Sequence, residues 1–134
     1  MKQENKKAGN TPQVVKRLED GKYFGEIIDI KQDKSSGFDY TRYTIKLDDA
    51  NGQSLSVSFP TNVSIGVDNE PVSQHACFLS DMGVILTPET DIDAECGVLY
   101  ARAVSFLVAN KKKNDKVYAE IVKGTIKPVQ AKLK

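Results

Sequence analysis

Residue types that would signal particular chemistries are scarce in this chain of 134 residues. It contains no tryptophan, one histidine and two cysteines. Cys77 and Cys96 are too few and too isolated for a disulfide framework or a CxxC metal site, so we expect small buried apolar residues or free thiols. The sequence also lacks P-loop, GxGxxG, HExxH and GxSxG motifs. We therefore predict a protein that is not an enzyme, with no catalytic residue, metal or cofactor.

Two features resemble reactive or metal-binding groups on first inspection. His75 lies in a predicted helix, where a lone histidine is more often structural or exposed than catalytic. Acidic residues alternate over 87–97, as Ca²⁺ ligands can, but this stretch lacks the glycine and the twelfth-position glutamate of an EF-hand loop. We expect a solvated acidic loop there.

No apolar run approaches the roughly 20 residues that a membrane-spanning helix needs. The first ten residues, MKQENKKAGN, contain no apolar core of a signal peptide. Together these features predict a cytoplasmic protein with no membrane partner. With 40% hydrophobic and 28% charged residues, the composition is typical of one soluble globular domain.

Charge is distributed unevenly, although the net charge is only +1. Residues 1–22 hold six basic and three acidic side chains, and residues 110–134 hold eight and two. Residues 23–109 hold five basic and thirteen acidic side chains. The basic ends could bind an anionic partner through their local field, or could serve only as solubilising tails.

The stretch from Tyr40 to Leu47 alternates strictly between polar and apolar residues, as a half-buried strand does. Tyr43, Ile45 and Leu47 fall on the predicted core side. The opposite side carries an aromatic ring, two cations and a hydroxyl, from Tyr40, Arg42, Lys46 and Thr44. Such a mixture suits the bases and phosphates of single-stranded nucleic acid. It is equally compatible with an ordinary solvated strand face.

The remaining turn and periodicity signals predict the order β-β-β-α-β-β. Strands are expected over 22–32, 39–48, 53–59, 98–109 and 116–123, and one short helix over 73–82. Ser73 is the expected N-cap and Gly83 the expected stop signal. Gly25 indicates a bulge or bend in the first strand, and Asn51-Gly52 a hairpin turn. This order is that of a five-stranded OB-fold barrel, an all-β fold with one short helix. We expect a flexible segment at 1–20, the domain at 21–127 and a basic tail at 128–134.

Three short segments carry a family resemblance: Gly21–Ile27 opening the barrel, Asn51-Gly52 after Lys46-Leu47-Asp48, and Lys116–Ile121 closing it. Over about residues 21–127 the chain resembles OB-fold single-stranded DNA-binding proteins of bacteriophages and mobile elements of Gram-positive bacteria. The resemblance implies binding of single-stranded DNA with little sequence preference, in support of replication or recombination. It also implies replication or recombination proteins as partners, and homo-oligomers are compatible with it. Many bacterial single-strand binders end in an acidic recruiting tail, whereas this sequence ends in a basic one.

In that family the face of strands 2 and 3, together with the loops joining strands 1–2 and 4–5, holds the DNA. Carried over, the resemblance implies a site formed by Tyr40, Arg42, Thr44, Lys46, Ser56, Ser58, Lys34, Phe38, Lys111, Lys112 and Lys113. Phe38 and Tyr40 are the preferred stacking rings. Tyr100, beside Arg102 on the predicted fourth strand, is the next candidate.

Two other interpretations of the same pattern stay open. The acidic body favours a protein-interaction or structural module of a phage or conjugation assembly, because much of its surface would repel phosphate. An RNA-binding barrel is the third interpretation, since nothing in the sequence addresses the 2′-hydroxyl group.

Overall fold

The computed structural model describes residues 17–35, 37–48 and 53–129. Most of the predicted flexible N-terminal segment, the Asn51-Gly52 turn and the end of the basic tail lie outside these residues. Six strands form one antiparallel sheet: β1 (Gly21–Ser35), β2 (Phe38–Leu47), β3 (Ser54–Pro60), β4 (Ala103–Lys113), β5 (Lys116–Ile121) and β6 (Lys127–Pro128). The all-β prediction is therefore confirmed.

The strand order β3-β2-β1-β4-β5, with β6 also paired to β4, is compatible with an OB-like barrel. The sheet is not closed. Cα atoms of β3 and β5 approach within 8 Å of each other, but no ladder joins these strands in the described part of the chain. Because direction alternates across every antiparallel pair, β3 and β5 run the same way. The β1–β2 hairpin therefore lies where β3 ends, and the β4–β5 hairpin lies where β3 begins.

The long first strand bends because it pairs with two neighbours. Residues 21–26 pair with β4, and residues from Gly25 onward pair with β2. A Cβ atom at Gly25 would stand 2.5 Å from the carbonyl oxygen of Lys46, so glycine permits this close crossing. The predicted irregularity is present, but the register shift falls at Ile28 rather than at Gly25.

The alternation predicted for β2 and β3 is confirmed. Thr41, Tyr43, Ile45 and Leu47 are buried, and so are Val57 and Phe59. The opposite side of the ladder pairs Arg42 with Ser58, Thr44 with Ser56 and Lys46 with Ser54. A row of small hydroxyl groups therefore lies beside the cationic strand.

The predicted central helix is α1 (Gln74–Asp81), and both of its boundary signals are confirmed. The Ser73 hydroxyl accepts a hydrogen bond from Ala76 N, and Gly83 follows the helix with φ of 92°. Ala76, Phe78, Leu79 and Met82 are buried in the core beneath β2 and β3. Both cysteines are free thiols, one of the two expected possibilities, but only Cys96 is buried, whereas Cys77 is exposed.

The prediction of a single helix is wrong, because residues 92–98 form a second helix, α2 (Ile92–Val98). The expected acidic loop is the start of this helix. Asp91 caps it by accepting a hydrogen bond from Ala94 N, and Asp93 and Glu95 lie in its first turn, where carboxylates favour the helix dipole. A short 3₁₀ helix, Val67–Asn69, also precedes α1.

The boundaries of β4 correct the predicted strand at 98–109. The strand begins only after Ala101, which has φ of 64°, and continues to Lys113. Lys111, Lys112 and Lys113 are thus strand residues rather than loop residues, and the hairpin turn is Asn114-Asp115, with φ of 52° and 65°.

Candidate nucleic-acid interface

The outward side of β2 and β3 forms a shallow polar surface, which we call the β2–β3 face. The Thr44 and Ser56 hydroxyl oxygens lie 3.1 Å apart, so neighbouring strands are bridged across this surface. No bulky side chain projects from β3 here, since its outward residues are serines followed by Pro60. The face comprises Phe38, Tyr40, Arg42, Thr44, Lys46, Ser54, Ser56 and Ser58.

Both preferred stacking rings lie on this face, at its β1–β2 hairpin end. Phe38 is 64% exposed, and Tyr40 is half-buried beside Pro60. Phe38 belongs to β2 rather than to a loop, so its position is fixed by the ladder. Two rings two residues apart on one strand side give adjacent apolar surfaces to which bases could stack.

Three carboxylates on β1 border the same face, and sequence reasoning missed them. The register places Glu26 opposite Lys46, Asp29 opposite Thr44, and Asp33 opposite Tyr40, so all three lie on the outward side. The bulge at Ile28 causes this for Asp29 and Asp33, because one extra residue reverses the inward–outward alternation that follows it. In the sequence, Gly25 indicated an irregularity in the first strand, but it did not show that the bulge falls at Ile28.

The charges on this surface are consequently balanced. The Arg42 guanidinium lies 3.6 Å from the Asp33 carboxylate, and Lys31 lies 3.9 Å from Asp29. These pairs are solvent-exposed, so each contributes at most about 1 kcal/mol to stability. A phosphate group could displace either carboxylate at small cost, but the flanking acids weaken the attraction.

Lys34 is not brought together with the predicted stacking rings. The register pairs it with Asp39, on the sheet side that Gln32 and Thr41 occupy, opposite to that of Phe38 and Tyr40. A lysine on β1 that does share the outward side is Lys31, opposite Arg42.

Tyr100 and Arg102 lie in the segment between α2 and β4 rather than on the fourth strand. The Tyr100 hydroxyl accepts a hydrogen bond from Ile30 N at 3.2 Å and approaches the Ile30 carbonyl oxygen at 3.4 Å. Ile27 N donates to the Arg102 carbonyl oxygen at 3.1 Å. The segment therefore covers the edge of β1 that faces away from β2, and β1 separates both residues from the β2–β3 face.

The three consecutive lysines lie at the other end of the sheet from Phe38 and Tyr40. All three side chains are exposed on the β4–β5 hairpin. The register places Lys111 and Lys113 on the outward side of the sheet and Lys112 on the opposite side, paired with Val117. Only two of the three can therefore contact one ligand lying on the outer surface.

A hydrogen-bonded network backs the β2–β3 face from inside. His75 Nδ1 lies 2.9 Å from the Thr61 carbonyl oxygen, which can only accept, so Nδ1 carries the proton. Nε2, 2.7 Å away, then accepts from the Tyr43 hydroxyl group. The Tyr43 oxygen is left to accept from the Cys96 thiol at 3.3 Å. The network thus connects His75 of α1 to Tyr43 of β2, and Tyr43 in turn to Cys96 of α2.

Burial fixes the protonation of this network. Desolvation lowers the pKa of His75, although the hydrogen bond to Thr61 opposes the shift. Desolvation also raises the pKa of Tyr43, with further contributions from Cys96, and raises the pKa of the Cys96 thiol. Each group is therefore neutral at pH 7, as expected for polar atoms in an apolar core.

Metal binding and membrane spanning are two further properties to consider for the described ranges. No group of three or more His, Cys, Asp or Glu side chains there is arranged to hold a metal ion. Among the same residues, no helix combines the length and apolar character needed to cross a membrane.

Comparison with protein-family models yields no match to this chain, and a search of curated proteins finds no significantly similar sequence. The resemblance to phage and mobile-element DNA-binding proteins therefore stays a prediction, and the functional argument depends on the geometry of the surface.

Proposed function

We propose that this protein binds single-stranded DNA without catalysis and with little sequence preference, in support of phage or mobile-element replication or recombination in the cytoplasm. The observation that carries the proposal is the outward side of β2. It presents two aromatic rings, Phe38 and Tyr40, in line with two cations, Arg42 and Lys46. Flat rings accept bases of any sequence, and cations attract the backbone phosphates.

The strand next to β2 supports this proposal. Serine side chains on β3 are short, so a nucleic-acid backbone can approach the sheet and receive hydrogen bonds from hydroxyl groups. Beneath the face, the network of His75, Tyr43 and Thr61 holds the strands in place. A rigid surface loses little conformational entropy on binding.

Charge balance sets the expected strength of binding. Asp33 competes with phosphate for Arg42, and Glu26 lies opposite Lys46. We therefore expect a modest electrostatic contribution from this face, and stacking as the larger part of its affinity.

The test is a titration with labelled oligo-dT and a matched duplex at two salt concentrations. The parent should prefer the single strand, and Phe38→Ala/Tyr40→Ala should weaken its binding by about 1–3 kcal/mol per lost stacked base. The salt dependence should change little, because neither ring neutralises a phosphate. Ile85→Ala, which truncates another apolar side chain that is 81% exposed, is the matched control and should bind like the parent.

A second candidate function is favoured by the three carboxylates beside the face. Glu26, Asp29 and Asp33 would suit a basic protein surface better than a nucleic acid. If the parent binds no oligonucleotide, this interaction-module hypothesis replaces the first. Replication or recombination proteins and further copies of the chain are then the partners to test.

A further inference from the structure

The outer side of β1, β4 and β5 forms a second surface, which we call the lateral surface. The ladders place the outward residues of these strands in adjacent rows, with Lys22 opposite Leu107 and Lys111 opposite Tyr118. Its three large apolar side chains are 44–47% exposed. The surface comprises Lys22, Phe24, Leu107, Lys111, Lys113, Lys116 and Tyr118.

Aromatic rings and lysines are paired on this surface. The Lys22 ammonium lies 5.4 Å from the centre of the Phe24 ring. Tyr118 is paired with Lys111 across the β4–β5 ladder, on the same outward side. A ring with an adjacent cation offers one base a stacking surface and one phosphate a counter-charge.

The lateral surface is more cationic than the β2–β3 face. Its outward residues include four lysines, at 22, 111, 113 and 116, against Glu120 on β5, Asp115 in the turn and Glu26, which borders both surfaces. On the β2–β3 face and its β1 border, three cations meet three carboxylates. A phosphate backbone is therefore attracted more strongly to the lateral surface.

The two surfaces are continuous across β1. Glu26 pairs with Lys46 of β2 on one side and with Ala103 of β4 on the other, so β1 alone separates them. Neighbouring strands lie about 4.8 Å apart, a short step for an extended polynucleotide. The β4–β5 hairpin is held at its base by Asp20. The Asp20 carboxylate accepts hydrogen bonds from the backbone and side-chain nitrogens of Asn110, both at 2.8 Å.

We propose that the lateral surface is a second segment of the single-stranded DNA path, in which bases stack on Phe24 and Tyr118 and phosphates contact the four lysines. This inference rests on the function proposed for the β2–β3 face. A second copy of the chain fits less well, because a two-fold contact would bring the same lysines together.

The strand geometry gives the proposal a length dependence. Phe24 lies at the level of Ser105 and Tyr118 at the level of Lys111, six residues further along β4. At about 3.3 Å per residue, the rings are about 20 Å apart.

The two surfaces adjoin at β1, but their far ends are further apart. Seven residues of β2 separate Tyr40 from Leu47, and seven of β4 separate Val104 from Lys111 beside Tyr118. At about 3.3 Å per residue this path is about 46 Å long. A short oligonucleotide therefore covers only part of the path, whereas a long one can contact the rings at both ends.

The experiment compares oligo-dT of about 6 and about 20 nucleotides, the second of which exceeds the site sizes of about 4–16 nucleotides for one OB fold. In the parent, affinity should rise steeply with length. In Phe24→Ala/Tyr118→Ala this gain should fall about tenfold, because stacked bases are lost. In Lys111→Ala/Lys113→Ala/Lys116→Ala the negative slope of log K against log[salt] should become shallower by about 2, because three phosphate contacts are lost at about 0.7 each. Ile85→Ala is again the control, and thermal melts establish that each variant is folded.

Three results would overturn the proposal. If the lateral variants bind both lengths like the parent while Phe38→Ala/Tyr40→Ala binds weakly, the lateral surface is wrong and the proposed function stands. If the parent binds neither length, the function fails and the lateral path fails with it. If Phe24→Ala/Tyr118→Ala changes sedimentation but not DNA binding, the surface is a contact between copies of the chain.

Discussion

The two sides of β2 carry similar chemical groups and use them in opposite ways. On the inner side, Tyr43 is fully buried, and its hydroxyl contacts both His75 and Cys96. On the outer side, Tyr40 is half-buried, and its hydroxyl has no hydrogen-bond partner in the described part of the chain. The comparison shows that polarity alone does not mark a binding surface. What distinguishes the outer side is that its polar groups are exposed to solvent, and the partners they have, Asp33 for Arg42 and Ser56 for Thr44, are exposed as well.

Truncating the two tyrosines to alanine tests this difference with the largest expected change in stability. Tyr43→Ala should lower the free energy of unfolding by about 3–5 kcal/mol, because a buried ring is lost against Phe59 and Phe78. Tyr40→Ala should lower it less, by about 1–2 kcal/mol, because that ring is only partly buried. Urea unfolding measures both. A larger loss of stability for Tyr40→Ala than for Tyr43→Ala would mean that the sides of β2 are assigned the wrong way round.

Removing only the inner hydroxyl group should have a smaller effect. Tyr43→Phe keeps the ring but leaves His75 Nε2 and the Cys96 thiol without their partner, at an expected cost of about 1–3 kcal/mol. Tyr40→Phe is the matched outer variant and should unfold like the parent in the same urea titration. Equal stabilities for the two variants would show that the buried network contributes nothing.

The ion pair on the outer side tests charge balance. Asp33→Asn removes the carboxylate near Arg42 and should change stability by at most about 1 kcal/mol. Oligo-dT binding should become tighter and more dependent on salt, because Arg42 can then pair with phosphate. Arg42→Ala should weaken binding and reduce the salt dependence. If Asp33→Asn weakened binding instead, phosphate would not be the ligand of this face.

The smallest expected effect concerns pH. Burial lowers the pKa of His75 in the folded protein, so below the unfolded value of about 6.5 the unfolded chain binds more protons. Stability from neutral His75 is therefore present above about pH 6.5 and declines as pH falls below it. Melting temperatures of the parent and His75→Gln between pH 7.5 and 5.5, about one unit either side of that value, should show a steeper decline in the parent. Parallel curves would contradict this assignment.

Local signals predicted much of the fold and part of the candidate surface. The alternation around Tyr43 correctly assigned the sides of β2 and β3, and Ser73 and Gly83 located α1. The helix α2 escaped prediction because it has only seven residues, and its acidic N-terminal residues resemble a loop. The sequence assigned Lys111–Lys113 to a loop because consecutive polar residues are typical of loops. Such residues also occur on an exposed strand, as at the end of β4.

The sequence by itself determined which residues of β2 face the core, because strand side chains alternate and only one set is apolar. It also determined the order of the first five strands along the chain and the position of α1. The tertiary structure alone decided which charges share a surface. A single bulge at Ile28 turned Asp29 and Asp33 toward Arg42, and pairing between β4 and β5 set Tyr118 beside Lys111. Such neighbours depend on register between distant segments, and a one-residue shift in register moves every side chain to the other face.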